Sequence, residues 1–164
     1  NKDREIIVNK VLENLKNNIF NKLDDKRWKN ILSSLQISFY SGWKGESLEK
    51  KLRQDYEEDI LKGYTKSGAH KFDLEIKVLG EKSGNILSRG EQKLLILLIF
   101  LSFGDYFMTS QDKNVIYLID DLASELDDKN LSLALEFLSI SKGQKIITSV
   151  KKIENKTIEQ LIDL

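Results

Sequence analysis

Ser88-Arg89-Gly90-Glu91 opens a long apolar stretch, and its residue types suit a phosphate group. A serine three residues before a glutamate is a capping box at the start of a helix. The same helix start offers free backbone N–H groups, a hydroxyl and a glycine that admits close backbone approach, which together make a phosphate site. Both readings use one geometry, the cap alone or the cap with a ligand. Further on, Val115-Ile116-Tyr117-Leu118-Ile119 runs into Asp120-Asp121. An apolar strand ending in acids delivers them to the carboxyl end of a sheet, where open α/β folds bind ligands. Leu122-Ala123-Ser124-Glu125-Leu126-Asp127 follows at once, with Asp127 or Asp128 placed to cap the next helix. Ile146-Ile147-Thr148-Ser149-Val150 is another apolar run that carries two hydroxyls.

These stretches need elements to hold them. Gln92 to Met108 is nearly all apolar, which predicts a helix buried on most sides. Val115–Ile119 reads as a central parallel strand, Asp128–Ile140 as a helix and Lys145–Val150 as a second buried strand. That helix-strand-helix-strand order predicts an α/β second half with a parallel sheet. The first half reads differently. Val8, Val11, Leu12, Leu15, Ile19, Leu23, Trp28, Ile31 and Leu32 keep helical spacing, predicting one long amphipathic helix that breaks near Asp24-Asp25. Residues 35–41 alternate as a half-buried strand, Leu48–Leu61 returns to helical spacing, and Phe72 to Val78 alternates again. Gly42–Gly45, Gly63–Gly68 and Gly80–Gly84 read as turns and loops.

The bulk numbers narrow the class. At 164 residues there is room for one ordinary domain with a real core. Lys plus Arg number 26 and Asp plus Glu number 26, so no net field draws the chain to nucleic acid or membrane, although a local basic patch still can. Cysteine is absent and His70 is the single histidine, which excludes disulfides and cysteine zinc sites. The apolar run Leu94–Phe103 is about half of what a bilayer needs. The start Asn1-Lys2-Asp3-Arg4 has no initiator Met and no signal pattern, so a cytoplasmic piece of a longer chain is expected.

In order and spacing the four stretches resemble the ABC ATPases. Leu87-Ser88-Arg89-Gly90-Glu91 resembles the L-S-G-G-Q signature, with Arg89 and Glu91 as departures, and the run into Asp120-Asp121 has the Walker B pattern. On that resemblance Asp120 would hold the magnesium that bridges two phosphates, and Asp121 would orient or deprotonate the attacking water. ABC enzymes usually carry Glu at the second position; the shorter Asp121 implies slow hydrolysis. Asp120 to Asp127 resembles D-E-P-T-S-A-L-D, so Ser124, Leu126 and Asp127 match the D-loop. Thr148-Ser149 falls at the switch position, where Ser149 replaces a His that contacts the terminal phosphate; a hydroxyl bonds phosphate without carrying charge. The signature lies about 30 residues before Asp120. No G-x-x-x-x-G-K-[ST] occurs, so the P-loop is expected upstream and the chain is expected to be inactive alone.

Within that superfamily the chain resembles the RecF family. Leu87-Ser88-Arg89-Gly90 and Tyr117 through Asp127, with its S-E-L-D run, look like that family's versions of the motifs. Gly68-Ala69-His70-Lys71-Phe72-Asp73-Leu74 resembles G-P-H-[KR]-x-D-[LI] with Ala69 in place of proline, and Phe39-Tyr40-Ser41-Gly42-Trp43 resembles an aromatic strand and turn. The resemblance implies an α/β fold, the C-terminal portion of an ABC-type, P-loop NTPase-like head with a helical arm lobe. Residues 1–86 would form the arm with a small antiparallel element, and 87–164 the signature helix and the end of the ATPase sheet. It implies ATP and Mg2+ as cofactors of a full-length homodimer, a weak ATPase, with neither bound tightly by this chain alone. Ser88, Arg89, Gly90 and Glu91 would serve the nucleotide of the opposite subunit, Asp120 this subunit's own, and Asp127 the dimer interface. It implies gapped or junction DNA as partner, RecO and RecR beside it, RecA loaded indirectly, roles in DNA repair and the SOS response, and no membrane. The alternative is an SMC-like clamp that binds ATP without turnover. A transporter ATPase subunit fits poorly, because the first 62 residues show no coupling pattern. His70 and Lys71 either hold a loop together or line a nucleotide or DNA surface. Lys10, Lys16, Lys22, Lys26, Arg27 and Lys29 either meet DNA phosphates or form a solvated face alternating with acids; in the first case affinity falls steeply with salt.

Overall fold

The computed structural model describes residues 2–19, 21, 24–45, 47–150 and 153. Lys22, Leu23 and nearly all of the tail after 152 lie outside the described residues. The chain begins with α1 (Lys2–Asn14), a π-helical turn (Leu15–Ile19) and α2 (Lys26–Ser34). The expected break falls where Asp25 caps α2, its side chain accepting from Trp28 N. A three-stranded antiparallel sheet follows, built from β1 (Gln36–Tyr40), β2 (Asp73–Val78) and β3 (Glu81–Lys82), with α3 (Leu48–Lys62) between β1 and β2. Gly63 ends α3 in the left-handed conformation at φ 72°. Ala69–Lys71 forms one 3-10 turn. The stretch Gly80–Gly84 is more ordered than a loop: β3 pairs with β2 there, and the short α4 (Ser83–Ile86) starts. Gly42 packs against Gly68, whose N–H bonds Gly42 O at 3.0 Å, and a Cβ on Gly42 would lie 2.0 Å from Gly68 O. The aromatic turn and the histidine segment therefore meet in space.

The second half holds α5 (Arg89–Gln111), β4 (Ile116–Ile119), α6 (Asp128–Ile140) and β5 (Gln144–Ile147). β4 and β5 pair in parallel, Tyr117 opposite Lys145, as the helix-strand order predicts. Two expectations about burial are corrected. α5 is not buried on most sides, because Ile96, Phe100 and Phe103 form an exposed stripe opposite buried Leu94, Leu98 and Leu101. β4 and β5 are not central strands: Ile116, Leu118 and Ile146 are exposed, and so is Val150. Both errors share a cause. A continuous apolar run predicts cover on every face, but among the described residues this sheet has two strands, and along both the side chains alternate between exposed and half-buried. By length and apolar composition α5 also meets the requirement for crossing a membrane. In the fold it is a core helix whose Leu94, Leu98 and Leu101 are fully buried.

One hydrophobic core crosses the middle of the sequence, joining Leu15, Trp28, Ile31, Leu32 and Val78 to Leu87, Leu94, Leu98, Leu101, Phe137 and Leu138. α1 packs along α5, and Asn14 Nδ2 donates to Ser102 O at 3.4 Å. Trp28 of α2 meets Phe137 of α6 edge to face, centroids 5.8 Å apart. Tyr117 crosses α5 at Gly104, where a Cβ would lie 2.0 Å from its hydroxyl oxygen, and donates to Leu101 O at 3.1 Å. Burial pushes that phenol up to about 12. Phe137→Ala removes a fully buried ring and its contact with Trp28, and is expected to cost about 3–5 kcal/mol. Urea unfolding followed by tryptophan emission checks this; an unchanged midpoint would show that the contact carries no weight.

Candidate functional site

Four stretches singled out in the sequence converge on the start of α5 and the carboxyl end of β4. Ser88 caps α5 through both halves of a capping box: Ser88 Oγ accepts from Glu91 N at 3.3 Å and Glu91 Oε2 accepts from Ser88 N at 2.9 Å. The Ser88 hydroxyl also bonds the Glu91 carboxylate, so both its roles are engaged within the cap. Ser88 and Arg89 are exposed, whereas Gly90 and Glu91 are buried. Glu91 points inward, where Arg27 Nε bonds Glu91 Oε1 and Arg27 Nη2 bonds Oε2 at 3.0 Å. The Arg27 guanidinium and, after it, the Ser88 N–H hold the Glu91 carboxyl down at about 2, against a desolvation that raises it. Glu91 thus fixes the turn from within.

Gly90 rests on the loop after β4. A Cβ there would stand 3.1 Å from Asn130 Nδ2 and 3.3 Å from Glu125 O. One turn on, Lys93 Nζ donates to Asp121 O and to Ser124 O, both at 2.9 Å. Between those two carbonyls the backbone is unusual: Asp121 at φ 43° and Glu125 at φ 62° are both left-handed without being glycine. Such residues cost on the order of 1–3 kcal/mol each, so the loop needs outside restraint, and Lys93 supplies it. Leu126 is 5% exposed and belongs to the core, and Asp127 caps α6 by accepting from Asn130 N at 2.7 Å. Asp127 is the capping residue of the two that the sequence offered.

Thr148 joins the two acids. Its Oγ1 donates to Asp120 Oδ1 at 2.6 Å and accepts from Asp121 N at 2.8 Å, while its carbonyl accepts from Leu122 N at 3.0 Å. Asp121 Oδ1 lies 3.5 Å from Val150 N. Asp120 is exposed, and Ser124 and Ser149 are half-buried. Among the described residues no group of three or more His, Asp or Glu could hold a metal by itself. Magnesium commonly takes one or two carboxylates and completes its shell with phosphates and water. Asp120, exposed at the end of β4, offers one such carboxylate.

Lys93 and Arg27 were not recognised as site residues from sequence. Lys93 reads as one more charge near a helix start, and Arg27 lies 64 residues before Glu91, so no local spacing connects them. His70 sits apart, in the Ala69–Lys71 turn; it is exposed and its Nε2 lies 3.0 Å from Thr65 O, a contact that holds the loop. Of the basic residues offered to DNA, Lys10 lies over the Tyr106 ring and Arg27 is taken by Glu91.

The chain was compared with known proteins. Over 131 residues it is 37% identical to the DNA replication and repair protein RecF of Aliivibrio salmonicida, an alignment taking in 79% of this chain and 35% of the relative. The chain belongs to the RecF family. RecF of Actinobacillus succinogenes is 38% identical over 128 residues, and RecF of Proteus mirabilis 36% over 118. The chain spans about a third of the length of these curated relatives, 35% of the first. No protein-family model matches it. A solved structure of the recombination mediator RecF with ATP covers 96% of this chain at TM-score 0.62 and 20% identity, and that likeness shows the fold. A second, RecF-ATPrS, covers 90% at TM-score 0.57 and 25% identity. In both, the chain covers 42% of the solved RecF chain. The α/β architecture is therefore that of part of an ABC-type RecF head.

Two outcomes follow from this geometry. The lowered Glu91 carboxyl stabilises the fold fully above its ordinary value of 4.5 and loses its contribution as pH falls toward about 2. Glu91→Gln is expected to flatten the urea midpoint across that window; an unchanged pH profile would contradict it. Lys93→Met is expected to speed amide exchange from Leu122 to Leu126 while α6 stays protected.

Proposed function

We propose that this chain is the C-terminal part of a RecF-type DNA-repair protein that binds ATP, pairs with a second copy when ATP is bound, and helps load a recombinase at gapped DNA. The observation that carries the reading is the wiring of three motifs into one unit. Gly90 lies against Glu125 and Asn130, Lys93 holds Asp121 and Ser124, and Thr148 holds Asp120 and Asp121. The family assignment supports it, and so does the ATP named with a structural neighbour. In this reading residues 1–86 are the arm lobe and 87–164 the end of the ATPase lobe. The P-loop lies on the part of the relatives' length this chain does not span. Bound magnesium would supply charge neutralisation between the phosphates.

The chain's own residues then divide their work. Asp120 offers the carboxylate for the metal of this subunit's nucleotide, with Thr148 fixing its rotamer. Asp121 faces the water, one methylene shorter than a glutamate, which makes turnover slow. Ser88 turns its exposed hydroxyl to the terminal phosphate held by the opposite subunit, and backbone N–H groups at the start of α5 add to that cradle. Asp127 lies at the same exposed edge and would meet the partner copy.

Ser88→Ala in the full-length protein is expected to leave ATP affinity of the monomer within about twofold and to abolish ATP-driven dimerisation, read by analytical ultracentrifugation. Asp121→Asn should lengthen the life of the ATP-bound dimer. A protein that shows no turnover even before that change would be a clamp of the SMC-like kind, and dimerisation indifferent to Ser88→Ala would remove Ser88 from the site.

A further inference from the structure

The start of α2 touches both helices of the candidate site, α5 and α6, at once. Arg27 bonds both oxygens of Glu91, and Glu91 Oε2 in turn holds Ser88 N at 2.9 Å. Two residues earlier, Asp25 splits its carboxylate: Oδ1 accepts from Trp28 N at 3.0 Å, and Oδ2 pairs with Lys129 Nζ at 3.0 Å. Lys129 belongs to the first turn of α6, beside Asn130, which touches Gly90. Trp28 completes the hold by packing on Phe137 of α6. One helical turn therefore grips α5 through Arg27 and α6 through Asp25 and Trp28.

The two grips differ in kind. Trp28 is fully buried and supplies packing. The Arg27 side chain is 57% exposed and the Glu91 side chain 10% exposed, so the pair sits at the surface end of the core. A bidentate guanidinium–carboxylate pair fixes the carboxylate plane as well as its position. Without it, Glu91 would be a buried charge tied only to its own cap, free to rotate out toward water and to release Ser88 N.

We propose that Arg27 is a positioning residue for Ser88: by locking Glu91 it holds the signature turn in the form that meets the opposite subunit's phosphate, making docking of α2 a condition for ATP-driven pairing. This rests on the functional reading above. Arg27 touches no ligand; it acts through Glu91. The arm helix and the phosphate-facing turn are thereby coupled without a continuous wire, through one side chain that either is or is not in place.

The test uses the full-length protein with three variants, Arg27→Gln, Arg27→Lys and Lys129→Met, each read for monomer ATP affinity, ATP-driven dimerisation and thermal midpoint. Arg27→Gln is expected to weaken dimerisation about tenfold or more while monomer ATP affinity stays unchanged. Arg27→Lys, which keeps the charge but loses the fork, should recover part of that loss. Lys129→Met, on the other branch, should shift dimerisation less than Arg27→Gln does. Dimerisation by Arg27→Gln equal to the unsubstituted protein would overturn the inference. So would a loss that tracks the thermal midpoint in all three variants with no recovery by lysine, since that is the mark of a purely structural contact. If the unsubstituted protein failed to pair on ATP, the functional reading would fall, and this inference with it.

Discussion

A helix of 23 residues must end somewhere, and the first N–H groups of α5 have no partners within the helix. The chain solves this with Ser88 and Glu91, and the solution creates a second demand, because it buries a carboxylate. Arg27 answers that demand from α2, and α2 then brings Trp28 onto Phe137 and Asp25 to Lys129. From the same start, Gly90 and Lys93 reach the loop after β4. The capping of one helix end thus determines where three other elements sit. It also leaves Ser88 exposed at the helix start, where a phosphate role would place it.

The loop after β4 shows why the two ends of the site are one piece. Asp121 and Glu125 both adopt left-handed backbone, a conformation that a free loop would abandon. Lys93 from one side and Thr148 from the other pin its carbonyls and N–H groups. The acids are positioned by what surrounds them, and each restraint comes from a different motif.

Much of this was legible in the sequence, and the failures have a pattern. Caps are local, so the Ser88 cap, the α6 cap to within Asp127 or Asp128, and the break before α2 could be placed from residue types. The parallel pairing of β4 with β5 followed from element order. Burial was misjudged wherever a run is apolar on all faces, because composition does not say which face has a neighbour. Ile96 and Phe100 on α5, and Ile116, Leu118 and Ile146 on the strands, lie on uncovered faces. The other blind spot is long-range charge: Arg27 and Glu91 are 64 positions apart, and although each was given a role of its own, no local spacing pairs them.

The central claim is that Ser88 and Asp120, although wired together in one chain, belong to two different nucleotide sites. Mixing two full-length variants tests it, one carrying Ser88→Ala and the other Asp120→Asn, each inactive by itself. In a mixed dimer one site would combine the intact acids of the first with the intact signature of the second. The expected result is ATP turnover in the mixture well above that of either variant alone. A mixture no more active than its components would contradict the assignment and place both residues in the same site.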